Sequence, residues 1–198
     1  RRAEAAVADG SALEAYERVG LPHRRIEDWK YTDLRVLIRE VLPLAPAPDA
    51  AALKRAETAL KAAAIKGARR LVLVDGVFAP KLSELGAEKG LSIRSLREVL
   101  DGGDSALQAQ LFALDNANPM VALNSAMLTD GVVIEIADGT ALSQPLHIVH
   151  IAAETAASSM FTRSLLRLGK NAAATLVESY VAADAAKKYQ AHDSLVIA

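Results

Sequence analysis

DGVVIEIADGTALSQPLHIVHIA, residues 130–152, contains two runs whose side chains alternate between two faces. The alternating sets are Val132, Ile134 and Ile136 against Val133 and Glu135, then Leu146, Ile148 and His150 against His147, Val149 and Ile151. Because successive side chains of a strand point to opposite faces, this period of two predicts two strands. The dipeptide Asp138-Gly139 predicts a tight turn between them.

The same plan recurs toward the C-terminus. FTRSLLRLGKNAAATLVESYV, residues 161–181, repeats strand, glycine turn and strand, and HDSLVIA, residues 192–198, opens a third block. Aligning residues 135–139 with 167–171 sets a repeat of about 32 residues. Strand pairs that repeat at this length are typical of a solenoid, whose coils bury a core by stacking on one another. The pattern favours a β-helix, and an antiparallel sandwich stays open as the alternative.

The first part of the chain has a helical texture instead. Thr32 or Asp33, and later Asp49, are the expected N-caps. Three prolines within residues 43–48 predict a linker, because a helix interior does not tolerate them. The helices predicted from apolar spacing and helix propensity are GSALEAYERVG (residues 10–20), TDLRVLIREVL (residues 32–42) and DAAALKRAETALKAAAIKG (residues 49–67).

A small α/β unit is predicted over residues 68–103. Asp75-Gly76 stands between two apolar runs, which is a strong hairpin signal. LSIRSLREVLDGG, residues 91–103, adds a short strand and a helical turn. DSALQAQLFALDNANPM, residues 104–120, predicts one more helix that ends before Pro119.

Composition excludes several classes of partner and chemistry. The 198 residues carry a formal net charge of -1, so nucleic acid and anionic membrane surfaces are not expected partners. No window approaches the roughly 20 apolar residues of a membrane span, and we expect a cytoplasmic protein. The chain has no cysteine, which excludes disulfides, thiolate ligands and thiol nucleophiles within these residues.

The four histidines are the first candidates for chemistry. His147 and His150 are three residues apart on a predicted strand, so they point to opposite faces and are not expected to share a metal ion. His23 lies in a loop and His192 near the C-terminus, and both are expected to be solvated. We therefore predict no catalytic, cofactor-binding or metal-binding residue, no cofactor in this chain, and no enzymatic activity.

Charged residues of the last third are interpreted as a solvated surface. Glu135 and Glu178 are isolated in the sequence, whereas polysaccharide-cleaving β-helix enzymes gather several acids on one face. The basic residues considered and assigned to surface solubility are Arg163, Arg167, Lys170, Lys187 and Lys188.

RRIEDWKYTDL, residues 24–34, surrounds Trp29, the single tryptophan of the chain. Arg24 or Arg25 is expected to lie over the Trp29 ring, and Trp29 to anchor the helix that begins near Thr32, while Asp28 and Lys30 stay solvated. A docking patch for a partner protein is the alternative, since a tryptophan flanked by arginine is common at interfaces.

Together these segments resemble the SufB/SufD family, the scaffold proteins of the SUF iron-sulfur cluster assembly system. The segment DWKYTDL favours the SufD branch over the SufB branch. The matching stretches are GLPHRRIEDWKYTDLR (residues 20–35), NSAMLTDGVVIEIADGTALSQPLHIVHI (residues 124–151), RSLLRLGKNAAATLVESYV (residues 163–181) and YQAHDSLVIA (residues 189–198).

The resemblance implies a fold and partners. The expected fold is mainly β with a helical N-terminal region: α-helices and a small α/β unit in residues 1–117, then the first coils of a right-handed parallel β-helix in residues 118–198. The expected role is that of a scaffold subunit acting with a SufB-like paralogue and a SufC-like ABC ATPase. The family implies no catalytic or ligand residue within these positions.

Family members are about twice as long, so the chain is expected to be an N-terminal fragment. The fragment alone is expected to bind neither the ATPase nor a cluster. A second copy of the chain is a further expected partner at the open end of the β region. The competing hypotheses are a β-helix enzyme acting on carbohydrate and a protein-binding module that docks through the Trp29 region.

Overall fold

The structure is a computed structural model, and it describes residues 10–112, 118–185 and 189–198. Within these residues the chain folds into six α-helices and eight β-strands. The helices are α1 (Gly10–Val19), α2 (Leu34–Leu37), α3 (Ala50–Ala63), α4 (Leu96–Asp101), α5 (Ser105–Phe112) and α6 (Pro119–Met127). The strands are β1 (Arg69–Val74), β2 (Val77–Phe78), β3 (Leu91–Ser95), β4 (Val132–Ile136), β5 (Leu146–Ala152), β6 (Ser158–Leu168), β7 (Leu176–Ala182) and β8 (Tyr189–Ile197).

The strands form two four-stranded sheets. Sheet 1 has the order β2-β1-β5-β7 and sheet 2 the order β3-β4-β6-β8, so consecutive strands from β4 onward alternate between the sheets. Strand β5 pairs in parallel with β1 and β7, and β6 pairs in parallel with β4 and β8. The pairs β1–β2 and β3–β4 are antiparallel. Each sheet is therefore mixed, with an antiparallel strand at one edge.

The prediction of a mainly β fold that opens a right-handed parallel β-helix is wrong. The chain is mixed α/β, because both sheets are mixed and six helices accompany them. Strands β1 and β2 are joined by a two-residue turn, and such a connection produces an antiparallel pair. Strand β3 adds a second antiparallel pair with β4, and neither β2 nor β3 belongs to the sequence repeat. The antiparallel sandwich is wrong as well, since the strands after residue 131 pair in parallel with one another.

The local strand pattern is nevertheless confirmed. Strands β4 and β5 cover the two alternating runs of residues 130–152. The repeat alignment also holds in three dimensions, because Glu135 lies opposite Arg167 in the parallel pair β4–β6. Strands from both sides of the predicted boundary between residues 117 and 118 share each sheet, and the division into two domains stays a prediction.

The apolar core lies between the sheets and continues beneath the helices. Helix α3 covers the outer face of sheet 1, and α4 and α5 cover the outer face of sheet 2. Because each central strand is covered on both faces, its apolar residues run on without interruption, as Leu71–Val74 do in β1. The buried residues of the inter-sheet core are Leu71, Leu73, Phe78, Val132, Ile134, Ile136, Leu146, Ile148 and Leu166.

The N-terminal helices begin where their caps predict. The side chain of Asp33 accepts a hydrogen bond from the first turn of α2, and that of Asp49 from the first turn of α3. Helix α2 ends at Leu37, so the prediction of a helix through residue 42 is wrong. Leu37 and Val41 are exposed rather than packed against a neighbour.

Helix α6 was not predicted, because Asn118-Pro119 was interpreted only as a break. Asn118 is in fact the N-cap of α6, with its side chain accepting from the N–H of Met120 at 3.0 Å, and Pro119 occupies the first turn. Proline suits this position because its missing N–H would have had no helical partner there. The predicted helix in residues 104–120 begins as α5 and is described to Phe112, and residues 113–117 lie outside the described residues.

The predicted hairpin is confirmed. Leu73 pairs with Phe78 across a turn in which Asp75 has φ +49° and Gly76 has φ +79°. Two consecutive positive φ values suit the twist of a two-residue hairpin and favour Asn or Asp followed by Gly. The Asp75 carboxylate is buried, and its Oδ1 accepts from the N–H groups of Ala153 (2.7 Å) and Glu154 (2.9 Å), which ties the hairpin to the end of β5.

Asp75→Asn is expected to raise the free energy of unfolding at pH 7 by up to about 1 kcal/mol. An amide oxygen can keep both hydrogen bonds that Oδ1 accepts, and the buried Oδ2 has no hydrogen-bond partner among the described residues. Burial raises the pKa of Asp75, so the ionised carboxylate opposes folding once the pH exceeds the ordinary aspartate pKa. Urea unfolding at pH 7 and pH 4 tests this, and the gain is expected to shrink at pH 4.

Asp130→Asn is the matched control and is expected to change stability in the opposite direction. Burial also raises the pKa of Asp130, but its two oxygens accept from different N–H groups, those of Phe78 (3.0 Å) and Arg97 (3.2 Å). An amide places an N–H against one of these donors, which costs about 1–3 kcal/mol. Equal effects of the two substitutions would contradict the hydrogen-bond account.

Candidate functional site

The inter-sheet core ends in a group of polar side chains on the last two strands of each sheet, β5 and β7 in sheet 1 and β6 and β8 in sheet 2. We call these five residues the inner polar cluster: His150, Thr162, Glu178, Tyr180 and Asp193. His150 follows Leu146 and Ile148 on the inner face of β5, and alternation along the strand turns all three toward sheet 2. The alternation that places Leu146 and Ile148 in the apolar core therefore also places the imidazole of His150 there.

Strand pairing brings the rest of the inner polar cluster to His150. In sheet 1, Tyr180 of β7 lies directly opposite His150 of β5. In sheet 2, Asp193 of β8 lies opposite Thr162 of β6. The facing sheets then place Asp193 within reach of His150.

Direct contacts hold most of the cluster in place. The Thr162 hydroxyl donates to Oδ1 of Asp193 at 2.6 Å, and the Tyr180 hydroxyl donates to Oδ2 of Asp193 at 3.1 Å. The rings of Tyr180 and His150 are stacked, with centroids 4.7 Å apart and an interplanar angle of 12°. Nε2 of His150 lies 3.6 Å from Oδ2 of Asp193 and 3.9 Å from Oε1 of Glu178.

The electrostatics of the cluster follow from its burial. The side chains of His150 and Asp193 are only 6% and 7% exposed, and that of Glu178 is 27% exposed. Burial raises the pKa of Asp193 and of Tyr180. The neighbouring His150 imidazole lowers the pKa of Glu178, which therefore stays ionised near neutral pH. The cluster holds negative charge beside an imidazole in a site largely withdrawn from water.

Sequence reasoning missed this cluster. The description of Glu178 as isolated is wrong, because β5, β7 and β8 bring it together with His150 and Asp193. The signal available in the sequence was a histidine on the inward face of an apolar strand. The pairing that supplies its carboxylate neighbours depends on which strands are adjacent.

The other histidines divide into one confirmed prediction and one correction. His147 lies on the outer face of β5, opposite in direction to His150 as predicted, with Nε2 2.8 Å from Oγ of Ser179. Burial lowers the pKa of His147, and the nearby Arg70 adds to this. The prediction that His192 is solvated is wrong, because its ring stacks on Phe161 at 4.3 Å and burial lowers its pKa.

His23 is half-buried in its loop, and the expectation that this side chain is solvated stays a prediction. Its Nδ1 accepts a hydrogen bond from the N–H of Arg25 at 3.2 Å.

Glu135 is paired with arginines. Its carboxylate contacts Arg94 at 2.6 Å and Arg167 at 3.2 Å, so the partners of this acid are arginines and not a second acid. Glu135 and Arg167 border a surface cleft of about 700 Å³ beside the glycine turns that follow β4 and β6. The second acid of this cleft, Asp138, accepts from the N–H of Lys170 at 2.8 Å. Both acids of this cleft therefore have partners of another kind, since Glu135 is paired with arginines and Asp138 accepts a backbone hydrogen bond.

The remaining basic residues also differ from the prediction. Arg163 is fully buried and structural, so its assignment to the surface is wrong. Arg167 and Lys170 are exposed as predicted. Lys187 and Lys188 lie outside the described residues.

The Trp29 region forms a short 3₁₀ helix, Glu27–Trp29, in which Trp29 is half-buried. Asp28 and Lys30 are exposed, as predicted. In this segment Nζ of Lys30 lies 5.4 Å from the centroid of the Tyr31 ring, which is a cation–π contact, and Tyr31 is 89% exposed. The choice between an anchor and a docking patch for Trp29 stays a prediction. Among the described helices, none combines the length and apolarity needed to cross a bilayer.

Comparison with known proteins gives consistent matches. A family model described as "SufBD protein N-terminal region" matches residues 7–148. The iron-sulfur cluster assembly protein SufD of Escherichia coli (strain K12) is 29% identical over 180 residues, which cover 89% of this chain and 39% of that protein. An iron-sulfur cluster assembly SufBD family protein of Synechocystis is 28% identical over 163 residues, which cover 81% of this chain and 35% of that protein. The chain thus spans less than half the length of either relative.

Proposed function

Because this chain belongs to the SufBD family, we propose that it is the N-terminal part of a SufD-like scaffold subunit in iron-sulfur cluster assembly. The observation that carries the proposal is the family match over residues 7–148, together with 29% identity to a protein named for this role. The proposed role is architectural and non-catalytic, in the cytoplasm.

The proposed partners are a SufB-like paralogue and a SufC-like ABC ATPase. Association at one end is supported by the two sheets, because β7 and β8 are the edge strands there and no further described strand pairs with them. Such edges pair readily with another strand. We include a second copy of this chain among the proposed partners for the same reason.

A chimera tests the proposed function. In the Escherichia coli relative, the segment that matches this chain is replaced by the chain, and the chimera is expressed in cells that lack their own copy. We expect the activity of an iron-sulfur enzyme in these cells to recover to within about ten-fold of the native level, because a family scaffold region should support the same assembly. A chimera carrying the matching segment of the Synechocystis relative is the control. Recovery with that control and none with a soluble chimera of this chain would contradict the proposal.

A further inference from the structure

We propose that His150, Glu178 and Asp193 bind a divalent first-row transition-metal ion between the two sheets. The three side chains come from β5, β7 and β8, and one donor atom from each lies within 4.8 Å of the other two. The metal site does not depend on the scaffold role proposed above.

The separations between donor atoms suit coordination better than hydrogen bonding. Nε2 of His150 is 3.6 Å from the Asp193 carboxylate and 3.9 Å from the Glu178 carboxylate. Hydrogen bonds of this kind are roughly 2.7–3.2 Å long. Two ligands that each lie about 2.1 Å from a tetrahedral metal ion are roughly 3.4 Å apart. A small closure of the carboxylates toward a central cation therefore completes the site.

The strongest independent sign is the state of His150. Its ring is 94% buried, at 6% exposure, and Nε2 has no hydrogen-bond partner among the described residues. Oε1 of Glu178 is likewise buried without one. Buried polar atoms are almost always satisfied, so two unsatisfied atoms only 3.9 Å apart require an explanation. A cation between them supplies the missing interaction for both.

The surroundings of the three ligands position them as metal sites require. Thr162 and Tyr180 each donate a hydrogen bond to Asp193, which orients its carboxylate. The stacked ring of Tyr180 fixes the plane of His150. Such outer contacts hold ligands in place, and their loss weakens metal binding in known sites by about 10–100-fold.

The ligand set selects the class of ion. One imidazole nitrogen with two carboxylate oxygens suits Zn²⁺, Mn²⁺, Fe²⁺ or Co²⁺, whereas Mg²⁺ and Ca²⁺ prefer oxygen ligands alone. Glu178 is 27% exposed and gives the ion a route from solvent. Three protein ligands leave at least one coordination position for water or another ligand.

A structural ion pair is the competing explanation. A protonated His150 would form charge-assisted hydrogen bonds of about 2.7–2.9 Å with a carboxylate, and both separations are longer. The two explanations predict different results in a metal-binding experiment, because an ion pair forms without a metal ion.

Metal binding by the purified chain tests the inference. The chain is stripped with a chelator and titrated at pH 7 with Zn²⁺ against a chromophoric competitor, and with Co²⁺ followed by its visible absorption. We expect saturable binding of one ion per chain. His150→Gln and Glu178→Gln are each expected to weaken binding by about ten-fold or more. Circular dichroism confirms folding, and Glu178→Gln decides the question should His150→Gln fail to fold, since Glu178 is partly exposed.

Two substitutions outside the cluster are matched controls. His147→Gln changes the other buried histidine of β5, which faces the opposite way, and Glu135→Gln changes a carboxylate of nearly equal exposure, 26%. Both controls are expected to bind Zn²⁺ as the parent chain does. The inference is overturned by absence of saturable binding to the parent chain, by unchanged affinity in a folded variant of His150 or Glu178, or by an equal loss in either control.

Discussion

Arg163→Ala is expected to lower the free energy of unfolding by about 3–5 kcal/mol. Arg163 lies on β6, fully buried beneath α5 and α6. Its guanidinium donates to Oδ1 of Asn124 (3.1 Å), the carbonyl oxygen of Leu111 (3.2 Å) and Oγ of Ser125 (2.8 Å). It also lies 5.5 Å from the Phe112 ring centroid. One side chain thus joins two helices to the centre of sheet 2.

The size of the effect follows from what truncation leaves behind. Alanine removes the shared donor of several buried acceptors, and each unsatisfied acceptor costs about 1–3 kcal/mol, partly offset by relaxation. A cavity remains where the side chain was. Burial lowers the pKa of Arg163 to about 10, so the group is still charged at pH 7 and its hydrogen bonds there are charge-assisted.

Arg167→Ala is the matched control for this measurement. Arg167 lies four residues further along β6 with a side chain 49% exposed, and its contact is an ion pair with Glu135. Exposed ion pairs contribute about 0–1 kcal/mol, so we expect urea unfolding to show a loss within that range. Comparable losses for Arg163→Ala and Arg167→Ala would contradict the structural role of Arg163.

Gly131→Ala is expected to destabilise the fold by about 3 kcal/mol or more, or to prevent soluble folding. A Cβ built on Gly131 would overlap the carbonyl oxygen of Arg163 and lie 2.6 Å from its carbonyl carbon. The atoms in the way are backbone of a central strand, so relief requires β4 and β6 to separate. Parallel strands at this point are held close by the bridge between Asp130 and Thr162.

Gly86→Ala is the control, because nothing lies within 4 Å of a Cβ built there and its φ is not positive. An alanine at such a position leaves stability unchanged or raises it by up to about 1 kcal/mol through the unfolded state. Soluble yield and the urea midpoint of both variants give the comparison. A Gly131→Ala variant as stable as Gly86→Ala would show that β4 and β6 lie further apart at this position.

Arg163→Ala and Gly131→Ala test the same contact region between β4, β6 and two helices. Gly131 directly precedes β4 and lies against the Arg163 backbone in the middle of the neighbouring strand β6, and α5 and α6 contact the same point through the Arg163 side chain. Helices α5 and α6 are therefore coupled to the repeated strands, and we expect a substitution at either residue to destabilise the described fold as a whole.

Much of the local structure was predictable because short-range interactions decide it. Alternation of apolar residues located β4 and β5, Asp75-Gly76 located the hairpin, and Asp33 and Asp49 located two helix starts. Each of these features depends on atoms a few residues apart. The helix after Asn118 was missed because the dipeptide Asn-Pro is ambiguous: it occurs where a helix ends and also where an N-cap and a first-turn proline begin a helix.

The sequence by itself determined the alternating strands, the Asp75-Gly76 turn, the caps Asp33 and Asp49, that His147 and His150 face apart, and the family to which the chain belongs. Only the tertiary structure decided that the sheets are mixed and that Arg163 is buried. It also decided that Glu178 and Asp193 meet His150. Strand neighbours are chosen by the burial of whole faces between sheets and helices, and that balance involves residues far apart in the chain. Alternation along a strand shows on which face of the sheet a side chain lies. It does not show which other side chains lie next to it there.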